Sequence, residues 1–143
     1  MRFVLDASVT LSWLLRDTAP RDEAYPLAVL NALRDPDTVA IVPMTWGLEV
    51  ANVIARSEAK ELVTAAQSGS FISLLEGLSM EVDVDTFTHV LSDTLQLSRR
   101  YRLSSYDASY LELALRNGAP IATLDEGLRR AANKAGVKTF KPT

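Results

Sequence analysis

The feature that most constrains this chain is a series of short apolar, β-prone runs separated by longer stretches with helical spacing. Arg2-Phe-Val-Leu5 is stopped by Asp6, and Val39-Ala-Ile-Val42 is closed by Pro43. Met80 to Val84 alternates, Pro120-Ile-Ala-Thr123 comes shortly after Asn117-Gly118, and Val137 to Phe140 ends the series. Runs of this length are too short for helices and read as strands. Between them, apolar residues recur at helical intervals. Val9, Leu11, Trp13, Leu14 and Leu15 make one set, with a break expected at Pro20, and Tyr25 to Leu33 make the next, stopped by Asp35-Pro36-Asp37. Thr45 is placed to cap a helix carrying Trp46, Val50, Val53 and Ile54 to about Lys60, and Thr64 to Leu78 follows. Asp85 is expected to cap one long helix through Phe87, Val90, Leu91, Leu95, Leu97 and Tyr101. Ser104 opens another helix that stops at Asn117-Gly118, and Asp125 caps a last one that ends at Gly136. Strands alternating with helices imply an α/β fold with a mostly parallel sheet and helices on both faces.

A chain of 143 residues suits one domain spanning 1–143. It has no cysteine, which excludes disulfide frameworks and thiolate metal sites and fits a cytoplasmic setting. No apolar run approaches the ~20 residues a bilayer-spanning helix needs, and Asp6 interrupts the only apolar run near the N-terminus, so no signal peptide is expected there. The net charge of -3 argues against a protein that coats nucleic acid electrostatically. It leaves room for an enzyme that meets a phosphodiester through cations held by its own acids.

Four of the 18 acidic residues stand at telling places. Asp6 directly follows the first strand, and Asp125 follows the strand that ends at Thr123; ligands of open parallel sheets bind outside the carboxyl ends of strands. Glu49 and Asp107 lie in the first turns of their helices. Asp107 heads the stripe Leu111, Ala114 and Leu115, where a carboxylate is costly unless it is paired or bound to a metal. Each has a bland alternative: Asp6 and Asp125 as N-caps, Asp107 as the acid of a capping box with Ser104, Glu49 as a solvated helix residue. Asn52, one turn after Glu49, shares its face and can orient a carboxylate or a bound water. Gathered together, four carboxylates require cations, and hard oxygen ligands suit Mg²⁺ or Mn²⁺. Such a centre typically hydrolyses phosphodiesters. The single histidine, His89, reads as surface or satisfied core rather than a base. Arg99-Arg-Tyr-Arg102 and Arg129-Arg130 read as solvated helix faces.

Four segments resemble those of the PIN-domain ribonucleases, and most closely the VapC-like toxins of bacterial toxin–antitoxin pairs. They are Val4-Leu-Asp6-Ala-Ser8, Glu49-Val-Ala-Asn52-Val, Tyr106-Asp107-Ala-Ser-Tyr-Leu-Glu-Leu-Ala114 and Ala122-Thr-Leu-Asp125-Glu-Gly-Leu128. The resemblance runs through essentially the whole chain. It implies a three-layer α/β/α sandwich and a Mg²⁺- or Mn²⁺-dependent endoribonuclease. It also makes Asp6, Glu49, Asp107 and Asp125 the catalytic, metal-holding acids, supported by Ser8, Asn52 and Thr123. A homodimer, an RNA substrate and a small VapB-like antitoxin are implied as well. Arg16 and Arg56 are the expected contacts to RNA or antitoxin by their placement, Arg56 sharing a helix face with Glu49 seven residues earlier. Two other readings are a PIN-like binding or scaffolding module without catalysis, and a Mg²⁺-dependent phosphotransfer or phosphatase domain. The latter fits poorly, because a dehalogenase-like site wants a second acid where Ser8 stands, and no receiver-like lysine accompanies the late strand.

Overall fold

The computed structural model describes residues 1–16, 18 and 22–143; the break expected at Pro20 lies outside them. In chain order the elements are β1 (Arg2–Leu5), α1 (Ala7–Leu15), α2 (Ala24–Ala32), β2 (Val39–Val42), α3 (Trp46–Ala59) and α4 (Ala65–Glu76). They continue with β3 (Met80–Val82), α5 (Thr86–His89), a π-helical turn (Val90–Thr94), α6 (Leu95–Tyr101), α7 (Ser105–Asn117), β4 (Ile121–Ala122) and α8 (Glu126–Lys134).

The strands form one parallel sheet in the order β3-β2-β1-β4. Phe3, Val4 and Leu5 are fully buried, as strands covered on both faces require. Helices flank the sheet in an α/β/α arrangement. α1 packs with α2, α3 and α4, while α7 lies against β1 and β4 with α6 and α8 beside it. After β1 the chain moves outward through β2 to β3, then returns to place β4 on the other side of β1. The order therefore reverses at the β1–β4 boundary, which is where a parallel sheet opens a crevice at its carboxyl edge. The register there pairs Val4 with Ile121 and Leu5 with Ala122.

Three local expectations need correction. Val137 to Phe140 does not form a strand: it makes a single parallel bridge, Ile121 to Thr139, and its Phe140 ring stacks on Phe3 at 3.9 Å. The stretch from Asp85 to Tyr101 is not one regular helix, because the π-helical turn at Val90–Thr94 interrupts it. Asp85 and Thr45 occupy N-cap positions without making cap hydrogen bonds through their side chains. Near Asp85 it is Asp83 whose carboxylate accepts from the Asp85 N–H at 3.3 Å and the Thr86 hydroxyl at 2.9 Å. Ser104 and Asp125 do cap their helices as the sequence suggests. Thr64 and Gln67 make a reciprocal capping box, and Gly118 ends α7 in the left-handed region at φ 59°.

Candidate active site

Asp6 leaves β1 at the carboxyl edge and stands in the N-cap position of α1, yet it does not cap that helix with its side chain. Its Oδ2 instead accepts from the Ser8 hydroxyl at 2.6 Å and the Thr123 hydroxyl at 2.7 Å. Thr123 follows β4, so this pair of bonds joins the ends of the two strands that flank the switch point. The Leu124 N–H donates to Ser8 Oγ at 2.9 Å and the Asp125 N–H to Thr123 Oγ1 at 3.0 Å, which directs both hydroxyl protons toward Asp6. Asp6 is 4% exposed. Burial pushes its carboxyl above the usual range; the two hydroxyls oppose that rise, and the charge of Asp125 adds to it.

Asp125 is the N-cap of α8, with Oδ1 accepting from the Leu128 N–H at 2.8 Å. The capping bond uses one oxygen only, and the Asp125 charge acts on both Asp6 and Asp107. Arg129 reaches back from α8 to donate to the Thr123 carbonyl at 2.9 Å. It is therefore no merely solvated residue, whereas Arg130, Arg99, Arg100 and Arg102 are exposed.

Glu49 projects from the first turn of α3, which Trp46 ties to α1 through a 3.3 Å bond from its indole N–H to Thr10 Oγ1. Glu49 is half-buried rather than solvated. Its Oε1 accepts from the Tyr110 hydroxyl at 3.2 Å. Burial, then the charges of Asp6 and Asp107, push its carboxyl up to about 7 against the lowering effect of Tyr110. Asp107, in the first turn of α7, is pushed up to about 6 by burial, then by Asp6 and Asp125, with Ser104 opposing. Ser104 Oγ does accept from the Asp107 N–H at 3.1 Å, but the reciprocal half of a capping box is not made.

Each of the four acids raises, or is raised by, the charge of at least one of the others, and Asp6 interacts in this way with all three. The centre is open rather than cage-like. Among the described residues, only His89, Asp93 and Glu112 bring ligand atoms within 4.8 Å of one another as a set. That trio is already engaged, with His89 Nδ1 at 3.0 Å from Asp93 and Arg116 Nε at 2.8 Å from Glu112, so His89 is a satisfied residue. An open all-oxygen set is the arrangement Mg²⁺ accepts, since it keeps several waters and takes only a few carboxylates. Asn52 lies exposed on α3 one turn beyond Glu49, and Arg56 one further turn along. Arg16, at the end of α1, lines a separate depression with Trp13, Gln67 and Phe71.

One site residue escaped the sequence reading. Tyr110 is fully buried at 0% exposure, and only its hydroxyl reaches the acids. Burial and the charges of Asp6 and Glu49 hold the phenol protonated well above its ordinary range, which makes it a permanent donor. Its position three residues after Asp107, on the same helix face, was the available signal.

An open parallel sheet carrying acids at its switch point, joined by acids from two helix starts, defines an α/β/α domain with a carboxylate centre. The chain belongs to the PIN domain family, whose profile matches residues 3–134. It is 23% identical over 128 residues to Ribonuclease VapC3 of Pyrobaculum aerophilum, covering 90% of this chain and 92% of that protein. Its fold resembles that of PAE2754 from Pyrobaculum aerophilum, with a TM-score of 0.63, 19% identity, and coverage of 92% of this chain and 87% of the other. It also resembles FitAcB from Neisseria gonorrhoeae, with a TM-score of 0.61, 17% identity, and coverage of 99% and 98%. No described helix is long and apolar enough to cross a membrane.

Proposed function

We propose that this PIN-domain protein is a Mg²⁺- or Mn²⁺-dependent endoribonuclease and the toxin of a toxin–antitoxin pair. The observation that carries the reading is the buried Asp6 carboxylate, held by Ser8 and Thr123 at the switch point and coupled to Glu49, Asp107 and Asp125. Glu49 and Asp107, whose carboxyls are pushed up to about 7 and about 6, exchange protons for a cation at little cost near neutral pH. Asp6, Glu49, Asp107 and Asp125 would hold the metal, which when bound polarises a phosphoryl oxygen and acidifies its water.

The chain's own residues set up that chemistry. Ser8 and Thr123 both bond to Asp6 Oδ2, which leaves Oδ1 as the oxygen for a cation. Tyr110 holds Oε1 of Glu49, so Oε2 would be its oxygen for the cation. Asp125 caps α8 with Oδ1, so Oδ2 would be its oxygen for the cation. Asn52 orients a neighbouring group from the rim. The match to a protein named as a ribonuclease supports RNA as the substrate. On this reading the protein acts in the cytoplasm as a homodimer of one-domain chains and is silenced by a small VapB-like antitoxin. Arg16 and Arg56 are its contacts to RNA or to that antitoxin.

Incubating purified protein with mixed RNA, with Mg²⁺ or Mn²⁺ against chelator, tests the activity. Cleavage that requires metal and disappears in Asp107→Asn is expected. Intact RNA in every lane, with folded protein, would return the chain to the binding-module reading.

A further inference from the structure

Beside Asp6, Asp107 and Asp125 lies a pocket of about 630 Å³ lined by Leu11, Thr45, Leu48, Glu49, Asn52, Val53 and Tyr106. Three observations bear on what fits there. It shares Glu49 with the acidic centre, and Tyr106 immediately precedes Asp107, so its occupant must sit next to whatever the acids hold. Two of its side chains are displayed rather than packed, Leu48 at 75% exposure and Tyr106 at 58%, while Leu11 packs against the core beneath them. None of its lining residues is cationic, while polar groups are present in Asn52 and in Thr45, whose Oγ1 is shielded from water and has no hydrogen-bond partner among the described residues.

A phosphate is unsuited to such a pocket, because Glu49 repels it and nothing balances its charge. A purely apolar side chain would leave Asn52 and Thr45 without partners. A nucleobase meets every condition: it is flat, neutral, apolar on its faces and studded with donors and acceptors along its edge. Single-stranded RNA offers such unstacked bases, and exposed aromatic rings are their usual platforms.

We propose that this pocket is a nucleobase subsite, in which Tyr106 stacks on the base next to the scissile phosphate and Asn52 reads its edge. The inference rests on the nuclease reading for its substrate class and adds a source of sequence preference to it.

Binding and cleavage are separated in the test. Fluorescence anisotropy of labelled oligo-A, oligo-C, oligo-G and oligo-U is measured with the full chain in chelator, where no cleavage occurs. Tyr106→Ala is expected to weaken the preferred oligonucleotide about tenfold, within the range found for loss of one stacking contact. Tyr106→Phe should restore binding and Tyr106→Leu should not. Asn52→Ala should narrow the differences among the four bases. Because both side chains are exposed, these variants keep the core, and unchanged thermal unfolding checks this. Equal binding by wild type and Tyr106→Ala overturns the subsite. So does equal rescue by Leu and Phe, which would mark the pocket as a seat for an apolar peptide side chain. Failure of wild type to cleave RNA with Mg²⁺ would sink the nuclease reading instead, and does so in a different assay.

Discussion

The Tyr110 hydroxyl donates to Glu49 Oε1 at 3.2 Å from a ring that is otherwise wholly enclosed by the core. A core residue of α7 thereby sets the position of an acid on α3, and two helices that approach from different directions are registered at the centre they share. Tyr110→Phe keeps the ring and removes the bond. Denaturant unfolding should show a loss of about 1 kcal/mol, the usual net value of a single hydrogen bond. The bond lowers the Glu49 pKa, so its removal should raise that pKa further above about 7 and weaken Mn²⁺ binding at neutral pH. A variant with reduced stability and unaltered Mn²⁺ affinity would reduce Tyr110 to a packing residue.

Asp107→Asn separates folding from function. In the metal-free protein the Asp107 carboxyl is pushed up to about 6, so ionising it opposes folding. An amide of the same shape removes that opposition. Above pH 6 the metal-free variant should melt at or above the wild-type temperature, while its Mn²⁺ affinity falls at least tenfold and RNA cleavage is lost. A lower melting temperature at pH 8 would mean that the carboxylate contributes a bond that the fold depends on.

The pH dependence follows from the same groups. Both Glu49 and Asp107 have folded pKa values above their unfolded ones, about 7 against 4.5 and about 6 against 3.8. Each therefore contributes stability that is fully present below the unfolded value and is lost as pH rises through the folded value. The metal-free protein should melt higher at pH 5 than at pH 8. Mg²⁺ should reverse this order, because a cation competes with the same protons and binds more tightly as they leave. Melting scans across that range, with and without Mg²⁺, check both halves. Identical profiles in the two conditions would show that the acids hold no metal.

The acids were legible because their meaning depends on where strands end, and strand ends are marked in sequence by Asp6 and by Thr123 with Asp125. Asp107 was legible for another reason, as a charge at the head of an apolar stripe. Tyr110 was not: a tyrosine in such a stripe reads as core, which it is, and only its single oxygen does anything else. The π-helical turn at Val90–Thr94 was also hidden, since one extra residue per turn barely disturbs apolar spacing over so short a span. Val137 to Phe140 failed differently. Its buried residues, Val137 and Phe140, pack as expected, but the ladder stops after one bridge. The network around Arg116 depends on α7 crossing the π-helical turn and the end of β3, a tertiary relationship that no local pattern encodes.

That network carries a last prediction. Arg116 donates to both oxygens of Asp83, at 3.0 and 2.6 Å, and to both oxygens of Glu112, at 2.8 and 3.0 Å. Glu112 is 5% exposed, and among the described residues only Arg116 and His89, the latter at 3.4 Å, form ion pairs with it. Arg116→Met leaves that buried carboxylate largely uncompensated. Breaking a fully buried pair costs about 3–5 kcal/mol. With the Arg116 side chain 25% exposed, about 2–3 kcal/mol is expected here. The double variant Arg116→Met with Glu112→Leu should recover much of the loss, because the stranded charge is gone. Asp83 gives the effect its pH signature. Its hydrogen bonds to Arg116 are the largest cause holding its carboxyl below the ordinary value, so its contribution is present above the unfolded pKa near 4 and disappears as pH falls through the folded one. Wild type and Arg116→Met should differ most near neutral pH and least under strong acid. Equal destabilisation of the single and double variants, at every pH, would place the stability of this corner in packing rather than in charge.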